Sequence, residues 1–167
     1  MTNHDFGSRA RSGPPWTFPI MKKPSLINPL GSYDDRDEFQ VGTTLVWVLG
    51  PPEIREELVA AANVQFLEIW ASLPQATAAA IDLSRSEFPE FWQAHDDAGT
   101  SSRQLKVWGI RINAAPLNVE YDIREDFDFN PDSYDPPLPR LSTKHRYCVS
   151  RTFDGAYTAV RHGSFFR

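Results

Sequence analysis

A strict alternation of apolar and polar residues between positions 117 and 124 is the feature that most restricts the fold. Apolar side chains occupy every odd position from Leu117 to Ile123, and polar or charged side chains occupy the even positions from Asn118 to Arg124. Successive side chains of a strand point to opposite faces, so this period of two predicts an antiparallel strand with one face on the core and one toward water.

The residues that follow this strand form an acidic, proline-bounded stretch. Pro131, Pro136 and Pro137 exclude a regular helix or a central strand there. Between Glu120 and Pro137 the chain holds seven acidic residues and one base, a net of −6, whereas the whole chain carries −5. The acidity is therefore local, and it is interleaved with Phe127, Phe129 and Tyr134.

Aromatic rings among carboxylates are typical of a protein interface, where rings anchor and charges steer a basic partner. The sequence therefore predicts a partner-binding surface made of Glu120, Asp122, Asp126, Asp128, Phe129, Asp132, Tyr134 and Asp135. The alternative is that these rings lie under the loop and fasten it to the sheet. The C-terminal residues 138–167 carry a net of +5, so the loop could also pair with the chain's own arginines.

The rest of the chain predicts an α+β fold. Residues 39–49 are typical of a strand, and residues 52–72 of a helix that begins at Pro52 and carries an apolar stripe. Further helices are expected at 75–83 and 86–95, followed by a strand at 105–112 with a bulge at Gly109, where the apolar phase shifts. We expect an antiparallel sheet of four to six strands with two or three helices packed on one face.

The chain is predicted to form one domain, residues 31–167, preceded by an arm. The arm, residues 1–30, is rich in proline and basic, and the alternation of Trp16, Phe18 and Ile20 suggests an edge strand within it. The only cysteine, Cys148, excludes an internal disulfide framework and favours a reducing cytosol. The chain lacks the long apolar run of a membrane span, and its net acidity argues against nucleic-acid binding.

Asp154-Gly155 between two alternating stretches predicts a β-hairpin with a two-residue loop. That register pairs Val149 with Val160 and Tyr147 with His162. It also places His145 and His162 diagonally on one face, with Cys148 on the other.

No sequence motif indicates catalysis. A nucleophilic elbow, a phosphate-binding glycine loop and a cysteine-protease signature are all missing. The run from Asp126 to Asp132 imitates a calcium loop, but Pro131 stands where an EF-hand requires glycine. No metal or cofactor is expected. The second hypothesis is a small hydrolase or metal-dependent enzyme that uses His145, His162 and nearby carboxylates.

The C-terminal half also carries a resemblance. The pattern V-x-x-I-x-I, then Y-D, then H-x-Y-x-V-S-R-x-F-D-G-x-Y, which spans roughly residues 105–163, is similar to an uncharacterised group of small bacterial domains. The element order resembles that of immunity proteins encoded beside bacterial polymorphic toxins. This resemblance implies a stoichiometric inhibitor that caps or blocks a toxin, and a basic toxin would suit the acidic loop.

The sequence thus predicts a non-enzymatic, cytoplasmic protein-binding module of the immunity type, with a basic protein partner. A third hypothesis is a phage or secretion-system accessory protein that oligomerises through its N-terminal arm. The sequence leaves open the identity of the partner and the oligomeric state.

Overall fold

The structure is a computed structural model that describes residues 23–113, 118–141, 145–152 and 154–162. It confirms the α+β class, with one seven-stranded sheet, one strand more than expected, and three helices on one of its faces. The strands are β1 (Gly31–Ser32), β2 (Arg36–Val41), β3 (Thr44–Leu49), β4 (Leu105–Asn113), β5 (Asn118–Glu125), β6 (Arg146–Arg151) and β7 (Tyr157–His162). The helices are α1 (Pro52–Ala71), α2 (Leu73–Glu87) and α3 (Pro89–Asp97).

The strands lie in the sheet in chain order, and every neighbouring pair is antiparallel except β3 and β4. Parallel neighbours need a long crossover, and the three helices supply it between β3 and β4. Helix α1 contacts β2 and β3, while α2 contacts β4, β5, β6 and β7. The crossover therefore covers one face of nearly the whole sheet.

The core is a layer of side chains between the helices and the sheet. One continuous row crosses six strands, and its members pair in register: Phe39, Val46, Ile110, Tyr121, Val149 and Ala159. The Tyr121 hydroxyl donates to the Ile69 carbonyl of α1 at 3.0 Å, and burial raises the pKa of Tyr121 to about 12. The alternation at 117–124 thus gives the buried face that it predicts.

Residues 36–49 correct the expectation of one strand at 39–49. They form a hairpin, β2 and β3, that turns at Gly42 and Thr43, and Val41 pairs with Thr44. Gly42 has a φ of +59°, which costs a glycine little and most other residues more. Little in the sequence indicates this turn, because a single glycine marks it.

The bulge in β4 is confirmed. The register with β5 shifts between Val107 and Gly109. A Cβ atom at Gly109 would lie 2.2 Å from Cζ3 of the Trp47 ring, so a side chain there is excluded while that ring keeps its place. Glycine therefore serves two purposes at this position, since it allows the bulge and it makes room for Trp47 of the neighbouring strand β3.

The C-terminal hairpin exists, but the predicted register is wrong by one residue. The Thr152 amide donates to the Ala156 carbonyl at 2.7 Å, and Gly155 has a φ of +83°. Thr152 and Ala156 therefore close the hairpin, and Val149 pairs with Ala159. A shift of one residue moves every side chain of a strand to the opposite face, and His162 consequently lies opposite Arg146.

The folded region begins before residue 31. Leu26, within the range predicted as an arm, is 3% exposed and belongs to the core. Its backbone amide and carbonyl both bond the Asn63 side chain of α1, at 2.7 and 3.0 Å. The edge strand expected around Trp16 and Ile20 lies outside the described residues. None of the described helices has the length and hydropathy to cross a membrane.

Candidate functional site

The predicted contact residues begin on the face of the sheet opposite the helices, here called the outer face. Asp122 lies at its centre, paired in register with Gly109 of β4 and Cys148 of β6. Its side chain is 0% exposed, because two guanidinium groups bind it. Arg124 donates to both carboxylate oxygens at 3.2 and 2.8 Å, and Arg146 bonds both at 2.8 Å. Asp122 is therefore an internal counter-ion with no surface for a partner.

Glu120 occupies the same face two residues earlier and pairs with Arg111 at 3.3 Å. Arg111 also lies 3.6 Å from the Sγ atom of Cys148. Burial raises the pKa of the Cys148 thiol, so the protonated, weakly nucleophilic form prevails at neutral pH. Cys148 is half-buried, and its position beside Arg111 gives it a packing role on the outer face.

The loop that follows β5 starts with two carboxylates that share one lysine. Lys106 of β4 approaches Asp126 at 3.1 Å and Asp128 at 3.3 Å. The hydrogen bond with Asp126 raises the pKa of Lys106. The Asp126 amide donates to the Gln104 carbonyl at 2.9 Å, which fixes the beginning of the loop. Asp128 keeps a side chain that is 90% exposed.

Phe127 is the exposed aromatic ring of this loop. Its side chain is 56% exposed, and its ring meets the Trp108 indole edge-on, with centroids 5.7 Å apart at 88°. Arg124 stacks on Trp108 at 5.2 Å. A chain of contacts therefore runs from Asp122 through Arg124 and Trp108 to Phe127. The bulge in β4 orients Trp108 so that its indole contacts the Phe127 ring.

Phe129, by contrast, points inward. It is 8% exposed and lies 5.8 Å from the ring of His95 in α3 and 5.8 Å from that of Tyr134. Arg103 stacks on it at 5.0 Å. For Phe129, the ring lies under the loop and fastens it, as the alternative interpretation holds. Phe129 is therefore a support of the loop, and Tyr134 is half-buried beside it.

His95 is the residue that sequence reasoning missed. It is fully buried, and its Nε2 atom bonds the Pro139 carbonyl at 2.9 Å while Nδ1 bonds the Thr100 hydroxyl at 2.8 Å. The bond to Pro139 ties the residues just after the loop to α3. A histidine on a short amphipathic helix gives no sign of such a contact with a residue 44 positions later.

The tip of the loop is a short 3₁₀ turn, Pro131–Ser133, capped by the Asn130 side chain, which accepts from the Asp132 amide at 3.1 Å. Asp132 pairs with Arg140 at 2.7 Å, with both side chains more than half exposed. Asp135 is exposed and precedes a cis peptide bond to Pro136. The loop is thus built from local bonds and presents carboxylates at its tip.

The eight predicted residues lie on β5 and in the loop that follows it, and they differ in their exposure to solvent. Asp122 and Phe129 are buried, Glu120, Asp126 and Tyr134 are half-buried, and Asp128, Asp132 and Asp135 are exposed. Many of the carboxylates bind the chain's own bases: Lys106, Arg111, Arg124, Arg140 and Arg146. Arg140 and Arg146 belong to the C-terminal residues whose positive charge suggested such pairing, whereas the sequence did not indicate which carboxylates they bind.

The two histidines of the enzymatic hypothesis lie on opposite faces of the sheet. His145 stacks on Phe88, at the junction of α2 and α3, with centroids 4.7 Å apart, and is therefore on the helix-covered side. His162 is in register with Arg146, which points to the outer face. Among the described residues, no group of three or more histidines, cysteines and carboxylates could hold a metal ion.

Comparison with known proteins gives no relative. No protein-family model, no curated protein and no solved structure matches this chain.

Proposed function

We propose that this protein is a non-enzymatic binding module of the immunity type, which neutralises a basic bacterial toxin through the loop 126–137. The observation that carries the proposal is Phe127, a ring that is 56% exposed yet held edge-on against Trp108. An exposed aromatic ring beside an exposed carboxylate, Asp128, has the composition of an interface hot spot with a charged rim.

The loop supports this role because it is ordered before any partner arrives. His95 holds its end at Pro139, Phe129 anchors its middle, and Asn130 caps its tip. Ordering a loop on binding costs free energy, and a loop already fixed by its own bonds avoids most of that cost. Buried members of the loop thus contribute indirectly, by holding the exposed ones in place.

The contact surface that we propose consists of Phe127, Asp128, Asp132, Tyr134 and Asp135. The carboxylates favour a basic partner and speed its approach, since charges at an interface rim act mainly on the association rate. Asp122 and Phe129 are left out because they are buried. A cytoplasmic location belongs to the same proposal and is supported by the single cysteine of the sequence.

The test is a binding titration with the purified product of the adjacent gene, where an immunity protein would have its toxin. We expect Phe127→Ala to weaken binding by roughly tenfold to a hundredfold, the usual effect of removing a central aromatic anchor. We expect Asp128→Lys to slow association and to reduce its dependence on salt.

Val160→Ala and Asp82→Lys are the matched controls, since both change exposed residues on other elements. They should leave the affinity and the association rate unchanged. The proposal fails if the neighbouring product does not bind, or if the double variant Phe127→Ala, Asp128→Lys binds as tightly as the wild type.

A further inference from the structure

Most of the exposed apolar surface lies away from the acidic loop. Of the eight large hydrophobic side chains that are exposed among the described residues, six lie in the segment 27–33 or on α1: Ile27, Leu30, Tyr33, Ile54, Val64 and Leu67. Ile27 and Tyr33 lie together on one surface, and exposed apolar side chains that lie together mark a surface that another molecule covers. The same region contains a cavity.

The cavity has a volume of about 700 Å³ and lies between residues 26–34 and the first half of α1. Its apolar wall includes Leu26, Ile27, Phe39 and Val59. This volume is in the range of cavities that accept a ligand or several side chains of a peptide. The two walls are joined to each other, because the Leu26 backbone bonds the Asn63 side chain of α1.

Arg55 forms part of the lining but offers no free positive charge. Its five N–H groups bond Asp37 Oδ1 at 2.8 Å and the carbonyls of Tyr33, Asp34 and Gly50, the last of them twice, at 2.6 to 3.0 Å. A guanidinium group has five donors, and all of them are used here. Arg55 therefore acts as an internal brace that joins the turn before β2 to α1.

The lining also carries Asp34 and Glu56, which are exposed. Neither forms an ion pair with a base among the described residues, in contrast to most carboxylates of the loop 126–137. These two carboxylates and two of the exposed apolar side chains, Ile27 and Tyr33, thus occur together at this cavity. A ligand that complements both must carry apolar groups flanked by positive charges.

We propose that this cavity is a second binding surface, which takes a basic amphipathic segment of a partner protein. Apolar side chains of that segment would fill the space against Phe39 and Val59, and its lysines or arginines would face Asp34 and Glu56. This proposal does not depend on the function proposed for the loop, since the two surfaces share no residue.

The experiment titrates the full-length chain with a synthetic 14-residue peptide of leucine and lysine, acetylated and amidated, with its leucines at helical spacing. Binding is measured by calorimetry at low and at physiological salt. We expect Glu56→Lys to weaken binding by about tenfold, and Ile27→Asp by a similar factor. A peptide with glutamate in place of every lysine should not bind.

Glu57→Lys and Val64→Asp are the matched controls. They make the same changes at exposed positions of α1 that do not line the cavity, and we expect them to change the affinity by less than about twofold. Circular dichroism of each variant confirms that the fold is retained. Equal losses in the controls would show nonspecific attraction and would overturn the proposal, as would no binding to the wild type.

A further variant tests whether the chain's own N-terminal residues, rather than a partner segment, occupy the cavity. If the peptide binds only after Arg9, Arg11, Lys22 and Lys23 are replaced together by serine, the chain's own N-terminal residues fill the cavity, and the proposal of a partner segment is overturned. Equal peptide binding before and after that replacement supports the partner.

Discussion

At the scale of single residues, Asp122 shows why a carboxylate in an acidic stretch can be structural. It is fully buried and binds Arg124 and Arg146, whose side chains are 32% and 25% exposed. Asp122→Asn keeps the shape but leaves two guanidinium groups without their counter-ion. We expect a loss of about 2 kcal/mol in the free energy of unfolding, less than for a fully buried pair because water still reaches the arginines. Urea unfolding at neutral pH measures it.

Asp132→Asn provides the comparison, since its ion pair with Arg140 lies in solvent. Exposed pairs contribute little, and we expect a change below about 1 kcal/mol. Asp122→Asn should also alter the environment of Trp108, which Arg124 supports, and so change tryptophan fluorescence. Equal losses of stability in the two variants would contradict the structural role of Asp122.

At the scale of elements, the loop 126–137 depends on α3 through His95, which bonds Pro139 just after the loop. His95→Leu retains an apolar side chain of comparable size against Phe129 but leaves the Pro139 carbonyl without its bond and the Thr100 hydroxyl with only its 3.4 Å bond to the backbone carbonyl of residue 95. A buried polar group that loses its partner costs about 1–3 kcal/mol. We expect a loss of about 2–3 kcal/mol in urea unfolding, together with faster proteolysis of the loop.

His145→Leu is the matched control on another element. His145 is half-buried, stacks on Phe88, and its Nδ1 atom finds no hydrogen-bond partner in the described part of the chain. Among the described residues, removing that ring breaks no hydrogen bond of Nδ1, so we expect less than about 1 kcal/mol of change. If both variants lose the same stability and the loop resists protease equally, His95 does not hold the loop.

Local signals in the sequence predicted elements well and predicted pairing poorly. Helix α1 and the bulge at Gly109 follow from periodicity, because each is decided by neighbours in the chain. The turn at Gly42 and the closure of the C-terminal hairpin at Thr152 and Ala156 depend on backbone conformations that one glycine allows but does not specify. The burial of Phe129 and the pairing of Asp122 depend on His95, Arg124 and Arg146, and only the folded sheet brings most of these together.

At the scale of the whole molecule, the sheet is an open series of strands with one protected face. The central strands β4 and β5 have neighbours on both sides, and residues of both belong to the buried row beneath the helices. Strand β1 holds two residues at one edge, and β7 forms the other edge. Protection from solvent should therefore fall from the centre of the sheet toward its edges.

Native-state hydrogen exchange measures this gradient. We expect the amides of Ile110, Tyr121 and Ile123 to exchange only through global unfolding, at least about 1,000-fold more slowly than those of β1, which open locally. Low concentrations of urea should accelerate the central amides strongly and leave the β1 amides unchanged, because only global unfolding exposes much surface. Similar rates in β1 and β5 would instead mean that the short edge strand unfolds together with the core, and the surface around Ile27 and Tyr33 would then be as stable as the sheet that carries it.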